Sequence, residues 1–183
     1  AIVSTYFGNA QDPMFSKDAN GNPGCFMHRQ ASFITSFWPE SAQGQAGVET
    51  TVFPFPSVDA SLPAAALGGG DMWAAFNDRE ATKVVAEYLL GADFHAPAAQ
   101  MPNNARMSAH TGFDQSLYSN DLYRVMGETI SAALSANSFR FDASDLMPPE
   151  VGGGSFWKEM MNLAVNGPGY IDEALANIDT SWP

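Results

Sequence analysis

Apolar residues recur at three- and four-residue steps over three stretches of the chain, and each stretch predicts a helix. In the first, Ala81, Val84, Val85, Tyr88 and Leu89 share one face, Asn77 or Asp78 caps the start and Gly91 ends it. A shorter helix follows over Asp93 to Gln100. In the second, Leu122, Val125, Met126, Ile130, Ala133 and Leu134 align over about Asp121 to Ala136. In the third, Ile171, Ala174, Leu175 and Ile178 point inward from a helix over about Tyr170 to Thr180. A further helix opens near Ser155, with the backbone of Gly152–Gly154 leading into it.

Two shorter apolar runs predict strands. Cys25 to His28 reads as a buried strand, followed by a short helix or turn from Ala31. Val48 to Phe55 reads as a second strand, stopped or placed at a sheet edge by Pro54 and Pro56. Residues 1–25 are turn-rich, with Asp12-Pro13 and Asn20-Gly21-Asn22-Pro23-Gly24. Phe139-Arg140-Phe141 is strand-like; a turn, Pro148-Pro149 and three glycines separate it from the aromatic pair Phe156-Trp157. The element order predicts an α/β chain with more helix than strand and no repeat.

Composition narrows the function. At 183 residues and 45% hydrophobic, the chain can build a core as one domain or two small lobes. Its net charge of −12, with only 8 Lys and Arg, excludes nucleic acid and anionic membrane surfaces as partners, because both need clustered cations. No apolar run reaches the length of a membrane span. Cys25 is the single cysteine, which excludes an internal disulfide and a cysteine-based metal site. The first residues lack the basic start and long apolar stretch of a signal peptide, so either the protein is cytosolic or this is a mature or truncated chain, and the abrupt apolar start points to truncation.

Reactive chemistry has few candidates. Ser155-Phe156-Trp157-Lys158 has the Ser-x-x-Lys spacing of serine acyl enzymes, and one helical turn would bring Lys158 to the Ser155 hydroxyl. The companion Lys-Thr-Gly is missing, so a helix-start Ser155 and a solvated Lys158 are the plainer expectation. His28, His95 and His110 lack the spacing of a local metal pair. Asp18 to Asn22 has glycine too early for a calcium loop and reads as a turn. Gly68-Gly69-Gly70-Asp71 lacks a phosphate loop's lysine and reads as a hinge or close-approach turn. Asp142 and Asp145 could pair as acid and base, or cap a turn and meet Arg140.

Met147, Phe156 and Trp157 suit the gripping of a flat, polar-edged ligand such as a sugar, for which rings supply apolar area and amides supply polar contacts. The same three side chains also suit a core. Asp71, beside Gly70, can accept hydrogen bonds from sugar hydroxyls or cap the following turn.

These residues carry a resemblance. The chain resembles, over nearly its whole length, the C-terminal half of family 1 extracellular solute-binding proteins, the sugar-capturing components of bacterial ABC importers. The motifs run in order: Gly24-Cys25-Phe26-Met27 with Ala31-Ser32-Phe33, Phe53-Pro54-Phe55-Pro56, Gly68 to Phe76 before the Glu80–Leu90 helix, Met147-Pro148, Ser155-Phe156-Trp157, and the closing Ile171–Trp182 segment. The resemblance implies a helix-rich portion of a two-lobe periplasmic-binding-protein type II fold. Residues 1–58 and 115–183 would then belong to one lobe and 64–112 to the other, with the family's first half absent. It implies a sugar ligand, permease partners, an extracytoplasmic place in the periplasm or as a cell-surface lipoprotein, and neither cofactor nor catalysis. It further implies that Met147 and Trp157 line the sugar cleft. Ala31-Ser32-Phe33 replaces a Gly-Pro-Trp that supplies a stacking ring, which makes Phe33 a smaller or differently placed counterpart.

Overall fold

The structure is a computed structural model that describes residues 3–43, 49–62 and 64–183. Helices among these residues are α1 (Asp12–Phe15), α2 (Glu40–Gln43), α3 (Glu80–Leu90), α4 (Ala92–Ala99), α5 (Asp121–Ser135), α6 (Phe156–Asn166) and α7 (Ile171–Thr180). Two strands, β1 (Ala66–Gly68) and β2 (Phe139–Phe141), form a small parallel sheet. Its register is fixed by the Ala66 N–H donating to the Ser138 carbonyl and the Asp142 N–H donating to the Gly68 carbonyl. The chain divides into two compact units: Gly8–Ala66 with Gly70–Phe139, and Ala1–Phe7 with Leu67–Gly69 and Arg140–Pro183.

The first unit is organised by α5. Asn120 caps this helix, its Oδ1 accepting from the Tyr123 N–H at 3.1 Å. Leu122 and Tyr123 then enter a buried cluster with Trp38, Ala99, Ala105, Phe113 and Tyr118. Tyr123 is the most buried large side chain there, and its hydroxyl donates to Thr35 Oγ1 at 3.2 Å. A buried phenol needs such a partner, or its desolvation goes uncompensated. Gly127 completes the fit: a Cβ there would overlap Gln115 Oε1 and the Tyr118 ring, so α5 is seated on these side chains through its bare backbone.

The second unit holds most of β1 and of β2, the turn after β2, α6 and α7. Gly167, at φ +80°, ends α6 where a side chain would strain the backbone. Val151, Ala174 and Ile178 are buried on its inner side.

Several expectations need correction. The predicted strand Cys25–His28 joins no ladder, the chain bends at Phe26, and Phe26 and Met27 are exposed rather than buried. Residues 49–55 likewise form no strand; Val48 lies outside the described residues. A strand exists only where a neighbour takes its N–H and C=O groups, and Pro54 and Pro56 remove donors from any such ladder. The strand that does pair with β2, β1, was read from sequence only as the start of a glycine turn.

Helix α3 ends before Gly91 as expected, but it starts after Arg79 with no side-chain cap rather than on an Asn77 or Asp78 cap, and its apolar face does not go inward. Val84, Val85 and Tyr88 are exposed, and within this unit α4 meets only the far end, where the Phe94 ring stands edge-on to Tyr88 at 5.7 Å. On α7, Ala174 and Ile178 are buried as expected, whereas Ile171 and Leu175 are exposed. On α5, Leu134 is also exposed. In each case a periodic stripe is wider than the neighbour that covers it.

Candidate functional site

The turn after β2 is built on one carboxylate. Asp142 Oδ1 accepts from the Ser144 N–H at 2.9 Å and from the Ser144 hydroxyl at 2.8 Å. Of the two sequence-level readings for Asp142, turn capping is the one the geometry supports. The chain then passes through Ser144–Leu146 to Met147, and Pro148 takes both the Val151 and the Gly152 N–H on its carbonyl at 2.9 Å. Residues Glu150–Ser155 form a π-turn, and α6 begins at Phe156.

Trp157 therefore stands in the first turn of α6 with 52% of its surface exposed. Phe156 and Met147 are half-buried. The Phe156 and Trp157 rings meet edge-on, 5.6 Å apart and 80° between planes. These three residues belong to one unit. Phe33, Gly70 and Asp71 belong to the other.

Phe33 is exposed in the short helical turn Ser32–Phe37, which Ile34 and Thr35 anchor. Its ring stands edge-on to Phe37 at 6.5 Å. Asp71 is exposed and ion-paired with Arg106 Nε at 3.2 Å. A Cβ at Gly70 would meet nothing; the close approach of the glycine run occurs at Gly69, against Asp145 Oδ2.

Among the described residues, Ser155 and Lys158 share no hydrogen bond. The Ser155 and Ser181 hydroxyls are 2.6 Å apart, and Ser181 donates its own proton to the Ile178 carbonyl at 2.7 Å. Ser155 is thus the donor to Ser181, and its proton is committed away from Lys158. Lys158 Nζ is exposed, 4.0 Å from Glu159 Oε1. An acyl enzyme needs its nucleophile within hydrogen-bond reach of a base, and here the Ser155 hydroxyl stands against Ser181.

Sequence reasoning missed Glu159. It is buried, and its Oε2 accepts from the Tyr170 hydroxyl at 2.8 Å and Asn162 Nδ2 at 3.3 Å. The Tyr170 hydrogen bond is the main cause holding its carboxyl below the usual range, against a smaller opposing effect of desolvation. The same bond is the main cause pushing the Tyr170 phenol up. A signal was present: Glu159 lies three residues after Phe156, on the side of the helix that Phe156 turns inward.

Among the described residues, no group of three or more His, Cys, Asp or Glu side chains is arranged to hold a metal ion, and no helix is long and apolar enough to cross a membrane. The first unit contains a cavity of about 70 Å³ lined in part by Met14, His28, Ile34, Trp38 and Met126. Ligand pockets run to roughly 300–1,000 Å³, so this one is too small for a sugar.

Along its whole length the chain is homologous to a portion of bacterial solute-binding proteins. It is 33% identical over 181 residues to the osmoprotective compounds-binding protein GgtB of Synechocystis sp., covering 99% of this chain and 40% of that protein. It is 31% identical over 184 residues to the alpha-glucosides-binding periplasmic protein AglE of Rhizobium meliloti, covering all of this chain and 37% of that protein. The chain thus spans about two fifths of the length of these curated relatives. No family model and no solved structure matches it.

Proposed function

We propose that this chain is part of an extracytoplasmic solute-binding protein that delivers a carbohydrate, an α-glucoside or another oligosaccharide, to the permease of an ABC importer. The observation that carries the reading is its kinship, over the full chain, with two proteins named for binding osmoprotective compounds and α-glucosides.

The finer reading is a two-lobe type II binding fold in which residues 1–58 and 115–183 contribute to one lobe and 64–112 to the other. Trp157 is the main ligand wall, supported by its exposed ring at the start of α6. Phe156 and Met147 flank it, and Phe33, Gly70 and Asp71 add contacts. Capture needs no chemistry and no cofactor. The commitment of the Ser155 proton to Ser181 supports binding without catalysis.

Titration calorimetry of the full-length protein against maltose, trehalose, sucrose and glucose tests this. Binding of at least one, with unchanged sugar recovered afterwards, is the expected result. A folded protein that gives no heat with any carbohydrate sinks the proposal. A covalent adduct on Ser155 after incubation with an activated ester, seen by mass spectrometry, would replace it with an acyl enzyme.

A further inference from the structure

The bond that closes the π-turn of residues 150–155 runs from the Phe156 N–H to the Val151 carbonyl. A π-turn holds one residue more than the α-turn it replaces. Side chains beyond it are therefore rotated by about 100° from where an unbroken α-helix would carry them. Phe156 and Trp157 are the first two side chains beyond it. Val151 is fully buried and fixes the near end of the turn, while Trp157 emerges with half its surface free.

Gly152 sits buried inside this turn. A Cβ there would overlap the Ser144 carbonyl oxygen, and would lie 2.9 Å from the Ser144 carbonyl carbon and 3.1 Å from Met147 Cβ. Backbone thus lies directly on backbone, where the turn carrying Met147 meets the turn that starts α6. Its neighbours differ. A Cβ at Gly153 would meet nothing within 4 Å, and one at Gly154 would meet only the Pro149 carbonyl oxygen, at 3.8 Å. Among the described glycines, positive φ values occur at Gly21 and Gly167, not in this run, so the need for glycine at 152 is one of space alone. The Ser144 turn is held from its other side by the two hydrogen bonds to Asp142.

We propose that Gly152 is a positioning residue. Its bare backbone lets the Ser144–Met147 turn dock on the π-turn, and that docking sets where Met147 stands relative to Phe156 and Trp157. The functional meaning rests on the reading of Met147 and Trp157 as ligand contacts; the docking itself is independent of any ligand.

The test uses the full-length protein carrying 5-fluorotryptophan and methyl-labelled methionine, observed by NMR without sugar. Trp157→Phe and Met147→Leu assign the two signals. Gly152→Ala is expected to shift both, leaving the Trp38 signal of the core in place, and Gly153→Ala is expected to shift neither. Should Gly152→Ala not fold, Asp142→Ala releases Ser144 from the opposite side and is expected to shift the same two signals. Unmoved Trp157 and Met147 signals in whichever variant folds overturn the proposal. With maltose as the probe, Gly152→Ala is expected to weaken binding about tenfold and to add no further loss in a Trp157→Ala background. An equal loss in both backgrounds also overturns it. Shifted signals in a protein that does not bind maltose support the positioning role and count only against the carbohydrate reading.

Discussion

The Tyr170 hydroxyl donates to Glu159 Oε2 at 2.8 Å, joining the turn before α7 to a buried carboxylate on α6. The carboxylate is acceptor-only when ionised, so this bond exists in full only with Glu159 charged and Tyr170 protonated.

A two-sided pH dependence follows. The Tyr170 hydrogen bond holds the folded Glu159 carboxyl below the ordinary carboxylate range, so its contribution is present above the ordinary value and is lost as pH falls through the lower folded value. The bond to Glu159 pushes the folded Tyr170 phenol above its ordinary range, so its contribution is present below the ordinary value and is lost as pH rises through the higher folded value. Urea midpoints measured from acid to alkaline pH check this. Glu159→Gln is expected to lower the midpoint near neutrality and to flatten the acid limb. An acid limb equally steep in wild type and variant would mean that Glu159 plays no part in it.

Gly127→Ala is expected to reverse the ordinary sign for a glycine inside a helix. Such a change in an exposed helix gains about 1 kcal/mol from propensity. Here the new methyl would overlap Gln115 and Tyr118, and overpacking of this kind costs about 1–3 kcal/mol. Thermal unfolding is expected to show a lower Tm. A raised Tm would show that the α5 contact yields freely.

Leu122→Ala in the same core is expected to cost about 2–5 kcal/mol, as buried leucines do when a cavity is left. Tyr123→Phe removes the bond to Thr35 alone and is expected to cost about 1 kcal/mol. Chemical denaturation of both variants separates the packing contribution from the polar one. Similar losses for the two would contradict this division.

Trp157→Ala is expected to spare stability and damage binding. Removing the contact of an indole face at about 25 cal/mol per Å² costs on the order of 1–3 kcal/mol, roughly tenfold to a hundredfold in affinity. The exposed ring contributes little to the fold, so Tm is expected to stay near wild type. Calorimetry with the best-bound α-glucoside, paired with thermal unfolding, decides it. A large drop in Tm with unchanged affinity would make Trp157 a core residue.

Asp71→Asn isolates a surface charge. Its pair with Arg106 is exposed on both sides, and such pairs contribute about 0–1 kcal/mol and are screened by salt. Stability is expected to hold, and sugar affinity to fall. Affinity within twofold of wild type across maltose, trehalose, sucrose and glucose would remove Asp71 from the ligand contacts.

The long helices and the kinship are written in the order of the residues. Helices over 80–90, 121–135 and 171–180 were legible because each bonds within its own segment and writes a 3.6-residue period into the chain. The ordered motifs around Met147-Pro148 and Ser155-Phe156-Trp157 were legible as a family pattern, since they need no knowledge of contacts. Tertiary structure alone decided what those patterns meet. Cys25–His28 had a strand's composition but gained only the Cys25 N–H bond to the Pro13 carbonyl and no ladder, while Ala66–Gly68 had a loop's composition and found β2. An apolar stripe states that a face favours cover, not what covers it, so Val84 and Tyr88 on α3 remain exposed while Leu122 on α5 is buried. Glu159 carries the composition of a surface residue and is buried because Tyr170, eleven positions away, supplies its hydrogen bond. Of three adjacent glycines, only Gly152 is required by space, and that follows from where the Ser144 carbonyl lies in three dimensions.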